Sequence, residues 1–136
     1  MVLGVINKAT EQFKTEKAAG RVFDVTYTAA IGPTEFIERE EDRERLYDEY
    51  LEYFLFRFDF SRETHDPNHP DEFSFFQDLY DIYTMAAEGD IYLACWCPPR
   101  LCHGEIIMKT VNYALSQRPR TLHSLTAEEI RREALS

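Results

Sequence analysis

The chain has 136 residues, 44% hydrophobic and 29% charged, as expected of one soluble globular domain with its own core. Its formal net charge of −10 excludes a general nucleic-acid binder, which needs a basic face to displace counterions, but leaves room for a small anionic ligand at a local site. No basic leader with a long apolar run opens the sequence. No segment approaches the ~20 apolar residues of a membrane span, so no membrane association and a cytoplasmic location are expected.

In chain order, Val2–Ile6 is short and β-branched and predicts a first strand. Lys8–Gly20 is loosely patterned, either a short helix or a loop ending at Gly20. Val22–Thr28 alternates β-forming residues and predicts a second strand, which Gly32-Pro33 terminates. From Glu38 to Phe58 the apolar residues Leu46, Tyr47, Tyr50, Leu51, Phe54, Leu55 and Phe58 form a helical stripe; the charged start, Glu38–Arg45, reads as a solvated first turn. Phe60–Asp71 carries Pro67 and Pro70 and reads as a loop. His65 and His69 are then solvent-exposed loop histidines, because the prolines forbid the helical spacing that would make them a metal pair. Glu72–Glu88 predicts a helix capped at Gly89, Asp90–Cys97 a strand, and Gly104–Gln117 another helix. Thr126-Ala-Glu-Glu129 is a capping box that opens a last short helix. Strands separated by long helices predict a single three-layer, Rossmann-like α/β domain with a mainly parallel sheet.

All three cysteines fall within residues 95–102, which is not how a disulfide-framed secreted domain distributes them. The apolar run through Ile91–Cys95 suits a central strand buried on both faces, with Cys95 and Cys97 on one side and Trp96 opposite. Pro98-Pro99 ends it, and Cys102-His103-Gly104 starts the next helix. Ligands of open α/β sheets bind at the carboxyl ends of strands, where a helix start offers free backbone N–H groups.

Three readings follow. In the first, the turn is an anion or nucleotide pocket, with Arg100 and Gly104 as binding residues, Cys102 as an activated thiolate and His103 as acid/base; the helix-start field would lower the Cys102 pKa. In the second, Cys95, Cys97, Cys102 and His103 hold zinc, three thiolates and one imidazole being an established ligand set. In the third, the cysteines are small core residues and His103 is a capping side chain.

At these residues the sequence resembles the domain-of-unknown-function family 4326, found in bacteria and their phages. The family hallmark is Leu-Ala-Cys-Trp-Cys followed shortly by Cys-His-Gly and an acid, here Leu93–Cys97 and Cys102-His103-Gly104-Glu105. Asp24-Val25 with Tyr27 resembles the family's early strand, and the Arg43–Leu51 segment its Arg-rich, Tyr-containing helix. A second uncharacterised family, with a Leu-Cys strand and Cys-His-Arg at a helix start, is similar in layout. The resemblance implies a Rossmann-like, nucleotide-associated fold without naming a reaction. The chain departs from the family in one segment. Where relatives carry a Gly-Arg pair and Gly-Asn-Pro-Phe, it has Ala29-Ala30-Ile31-Gly32-Pro33-Thr34-Glu35-Phe36.

The leading expectation is a nucleotide-type or other phosphate-bearing ligand at the turn, with Asp24 and Tyr27 contributed by the neighbouring strand end. The alternatives are an acidic, phage-encoded interaction protein that docks on a basic host factor, and a zinc-stabilised structural domain.

Overall fold

In the computed structural model, which describes residues 1–26, 31–33, 37–69, 74–97 and 101–136, the chain runs β1 (Val2–Asn7), α1 (Glu11–Ala18), β2 (Val22–Asp24), α2 (Arg43–Arg62), α3 (Phe75–Glu88), β3 (Ile91–Cys95), α4 (Gly104–Ser116) and α5 (Ala127–Ala134). Short 3-10 turns at Glu40–Asp42 and Leu122–Ser124 precede α2 and α5. The sheet order is β1-β3-β2 and every pairing is parallel, so this is an α/β fold. The apolar run of β3 is the central strand, as its pattern requires: Ile91, Leu93, Ala94 and Cys95 are all buried. Its carboxyl end lies beside those of both neighbours, with Asn7 opposite Cys95 and Asp24 opposite Ala94. Backbone bonds from Lys8 N and Val25 N to the Cys95 and Ala94 carbonyls, 3.0 and 3.1 Å, carry the ladder past the strand ends.

Helix α1 begins where Thr10 accepts from Phe13 N, and it ends before Gly20, whose φ of +74° suits a residue without a Cβ. Helix α2 continues four residues past Phe58 because Ser61 stays on its buried stripe, with its hydroxyl on the Arg57 carbonyl. Phe60, expected in a loop, is therefore helical, and its ring stacks on Phe56 at the surface. Helix α3 starts at a Ser74 cap and buries Phe75, Phe76, Leu79 and Ile82 against Phe54 and Phe58 of α2. Helix α4 is fixed along β1 by Asn112, whose side-chain amide both accepts from Val2 N and donates to Val2 O at 2.9 Å.

His65 is the clearest departure from expectation among the loops. It is not a solvated histidine. Its Nδ1 lies 3.0 Å from His123 Nε2 and its Nε2 2.6 Å from Gln77 Oε1, and its ring packs on Phe76 and Tyr80. His69 is exposed, on Asp66. Of the second strand, Val22–Asp24 forms; Tyr27 and Thr28 lie outside the described residues.

The capping box of α5 forms as the sequence specifies, with Thr126 Oγ1 accepting from Glu129 N and Glu129 accepting from Thr126 N. Replacing Thr126 with alanine should cost about 1 kcal/mol in thermal or urea unfolding. Glu129 also accepts from Arg120 and Tyr113, and these donors pull its pKa down to about 2. A carboxylate with a depressed folded pKa stabilises the fold above its unfolded pKa and loses that contribution as pH falls. Stability should therefore decline between about pH 4.5 and 2, and the Glu129→Gln variant should show a shallower decline in acid titration.

Candidate functional site

The carboxyl end of β3, Thr26 just past β2, α2 and the approach to α4 frame a cleft of about 670 Å³, counting the space open to solvent at its mouth. Cys95, Cys97, Cys102 and His103 line it from the β3–α4 connection, Arg43, Leu46, Tyr47 and Tyr50 from α2, and Thr26 from beyond β2. The turn singled out by sequence is thus on a cleft wall, and α2 is the wall opposite.

The three cysteines are free thiols, Cys95 and Cys102 buried and Cys97 partly so. The neighbouring Cys102 and Cys95, and then the Arg43 guanidinium, favour a Cys97 thiolate against the opposing effect of burial, and the Cys97 pKa falls. The Cys102 thiol moves the opposite way, because the neighbouring Cys95 and Cys97, together with burial, favour its protonated form. The expectation that the helix-start field activates Cys102 is reversed. A single N–H contact from Gly104 lowers its pKa by less than its neighbours raise it.

His103 is buried, so its charged form is disfavoured despite the Val25 carbonyl and the nearby Cys97. Its Nε2 is 2.8 Å from the Val25 carbonyl oxygen. A carbonyl can only accept, so Nε2 carries the proton and Nδ1 keeps a lone pair. Tyr50 packs edge-on against the ring at 5.0 Å and fixes its plane. Its side chain makes no helix cap, contrary to the capping alternative.

Gly104, expected to bind ligand, has a packing role of its own. A Cβ there would stand 3.0 Å from Val5 Cγ1 and 3.4 Å from Cys102 Sγ, so glycine lets α4 start against β1. Asp24, also expected at the ligand, is engaged within the fold. Burial would raise its pKa, but the Lys8 ammonium and the Thr26 hydroxyl and N–H override that and hold it low. Thr26, not Asp24, reaches the cleft. Arg100 and Tyr27 lie outside the described residues, as do Ala29-Ala30 and Thr34–Phe36 of the departing segment. Ile31 of that segment is buried, its N–H on Asp78 Oδ2 and its carbonyl on the Tyr50 hydroxyl.

One cleft-lining residue was missed by sequence reasoning, which placed Arg43 in a solvated first turn. Arg43 is buried: Nε and Nη2 donate to Glu40 at 2.7 and 2.9 Å, and Nη1 donates to Leu101 O at 2.9 Å. It ties α2 to the start of the segment before α4. The available signal was its place on the α2 stripe, four residues before Tyr47 and seven before Tyr50.

Cys95, Cys102 and His103 are all buried, and one donor atom from each lies within 4.8 Å of the other two. A tetrahedral zinc with ordinary Zn–S and Zn–N bonds has donor–donor edges of roughly 3.3–3.8 Å, so the three need close by only about 1 Å. The His103 Nε2–H to Val25 bond is the outer contact that a metal-bound imidazole ordinarily makes. These residues form a Cys/His cluster that suits a metal ion. Among the described residues, no helix is long and apolar enough to cross a membrane.

No curated protein and no solved structure matches the chain. The sequence profile of the domain of unknown function DUF4326 matches residues 12–113, taking in β2, α2, α3, β3, the cysteine turn and most of α4. That match covers well over half of the chain and all of the cleft-lining residues, and the chain belongs to the DUF4326 family.

Proposed function

We propose that this chain is a metal-binding domain in which Cys95, Cys102 and His103 hold zinc on the cleft floor. The supporting observation is the convergence of three buried donors within 4.8 Å, one of them an imidazole whose other nitrogen is already committed to a backbone carbonyl. Two thiolates and an imidazole select a borderline-soft ion over magnesium or calcium, which prefer oxygen donors. In this reading Cys102 and His103 are ligands, not nucleophile and acid/base. Protein purified without chelator should carry about one equivalent of zinc, and less than about half an equivalent after incubation with zinc and desalting would count against the proposal.

A second reading concerns the cleft itself. Its position at the carboxyl ends of a parallel sheet, beside the start of the 13-residue α4, supports binding of a small anionic or nucleotide-type ligand. Titration calorimetry with a panel of nucleoside phosphates tests it. Saturable binding that is lost in Tyr47→Ala is expected, and heats no larger than dilution across the panel would reject it.

A further inference from the structure

We infer that His65 and His123 form a metal site of their own, in which two facing imidazole nitrogens take a divalent ion of the first transition row such as zinc or nickel. Neither residue lines the cleft or belongs to the cluster of Cys95, Cys102 and His103, so the inference stands apart from the reading above.

The two histidines come from distant parts of the chain. His65 follows the end of α2, and His123 lies in the 3-10 turn before α5, 58 residues later. His65 Nδ1 and His123 Nε2 are nevertheless 3.0 Å apart. Two imidazole nitrogens on a tetrahedral zinc, each at the ordinary bond length, are separated by roughly 3.3 Å, so an ion between these two requires an opening of about 0.3 Å. Hydrogen bonding fixes the proton positions. Gln77 Nε2 donates to Asp81 Oδ1 at 2.7 Å, which turns the amide oxygen toward His65. That oxygen, 2.6 Å from His65 Nε2, can only accept, so Nε2 carries the proton and the His65 Nδ1 lone pair faces His123.

A ligating imidazole is ordinarily held in this way. The far N–H of His65 runs through the Gln77 amide to the Asp81 carboxylate, which fixes the tautomer and makes Nδ1 a stronger donor. Both rings rest on Phe76, at 4.9 and 4.6 Å between centroids, and His65 also rests on Tyr80 at 5.2 Å. The two donors are therefore aimed before an ion arrives. Without an ion, His123 Nε2–H donates to His65 Nδ1. With one, the His123 proton passes through solvent to that ring's own Nδ1, which its partial exposure allows, and both facing lone pairs bind the ion. Imidazole donors suit zinc, copper and nickel, whereas magnesium and calcium prefer oxygen. Two protein donors hold an ion less tightly than three, so this site fills only with ion supplied in excess and empties on desalting.

Equilibrium dialysis of the full chain against nickel, together with ring-nitrogen NMR during a zinc titration, tests this. The wild type should hold about one more equivalent of nickel than His65→Gln or His123→Gln. His69→Gln, altered at the exposed histidine of the same loop, should match the wild type. Gln77→Leu should weaken the extra site about 10-fold through loss of the outer contact. In the wild type, zinc should shift Nδ1 of His65 and Nε2 of His123, a readout that needs no variant to fold. Equal nickel uptake by the wild type and both variants would overturn the inference, as would zinc shifts confined to other histidines. An equal loss in His69→Gln would move the ion to the exposed Asp66–His69 pair and overturn it too. None of these results bears on metal binding by the cysteine cluster.

Discussion

If Cys95, Cys102 and His103 hold zinc as proposed, stripping it with a strong chelator is expected to lower the midpoint of thermal unfolding by roughly 10 °C. The magnitude follows from mass action. An ion that binds the folded state alone stabilises it by about 4 kcal/mol when its free concentration is 1,000 times its dissociation constant. At the unfolding entropy usual for a chain of this length, that free energy corresponds to a shift of roughly 10 °C. The protein should remain folded without metal, unlike a zinc finger, because the core that includes Cys95 and Cys102 also holds Phe54, Phe58, Leu79, Ile82, Leu93 and Ile106, whose burial needs no metal. Cys102→Ser should unfold like the chelated wild type and show no further response to chelator. Scanning calorimetry with and without chelator checks this. Identical midpoints in a wild-type sample shown to hold zinc would mean that the cluster does not couple to folding.

Phe54→Ala should destabilise by about 3–5 kcal/mol, the usual range for deleting a fully buried ring. Phe54 is wholly inaccessible, sits edge-on to Phe75 at 5.1 Å and contacts Tyr50 at 6.1 Å. The lost transfer energy adds to a cavity that α2 and α3 close only in part. The effect should reach the site, because Phe54, Tyr50 and Arg43 lie along one face of α2 and the latter two set the cleft wall opposite the cysteines. Phe56→Ala is the matched control. Its ring is 66% exposed, and the change should stay within about 0.5 kcal/mol. Urea unfolding monitored by circular dichroism separates the two, and comparable losses in both variants would contradict the assigned faces of α2.

Most of the secondary structure was legible because it depends on local rules. The α2 stripe, the Thr126 cap and the apolar run of β3 each express a short-range preference that the tertiary structure reinforces. Where the expectation failed, a long-range contact had intervened. His65 reads as a solvated loop residue until Gln77 and His123, 12 and 58 residues away, close around it. Other long-range contacts were equally invisible: Val5, on a strand nearly a hundred residues earlier, stands where a side chain at Gly104 would go, and Lys8 pairs with the Asp24 carboxylate.

The cysteine turn shows the same division. By itself the sequence determined its location: a buried central strand ending in cysteines, directly before a helix that begins at Cys-His-Gly. Alternation and helix-start rules operate within a few residues and need nothing else. The sequence set Cys102 apart only by its place at the helix start, however, because spacing carries no information about what packs across from the three thiols. Only the tertiary structure shows what each one faces. Docking α2 places Arg43 on the same cleft as Cys97 and the Tyr50 ring against His103, while Val25 takes the imidazole N–H. A thiol's role is set by the charges and donors within a few ångströms of it, and those come from residues 43, 50 and 25, which no local pattern connects to residue 97 or 103.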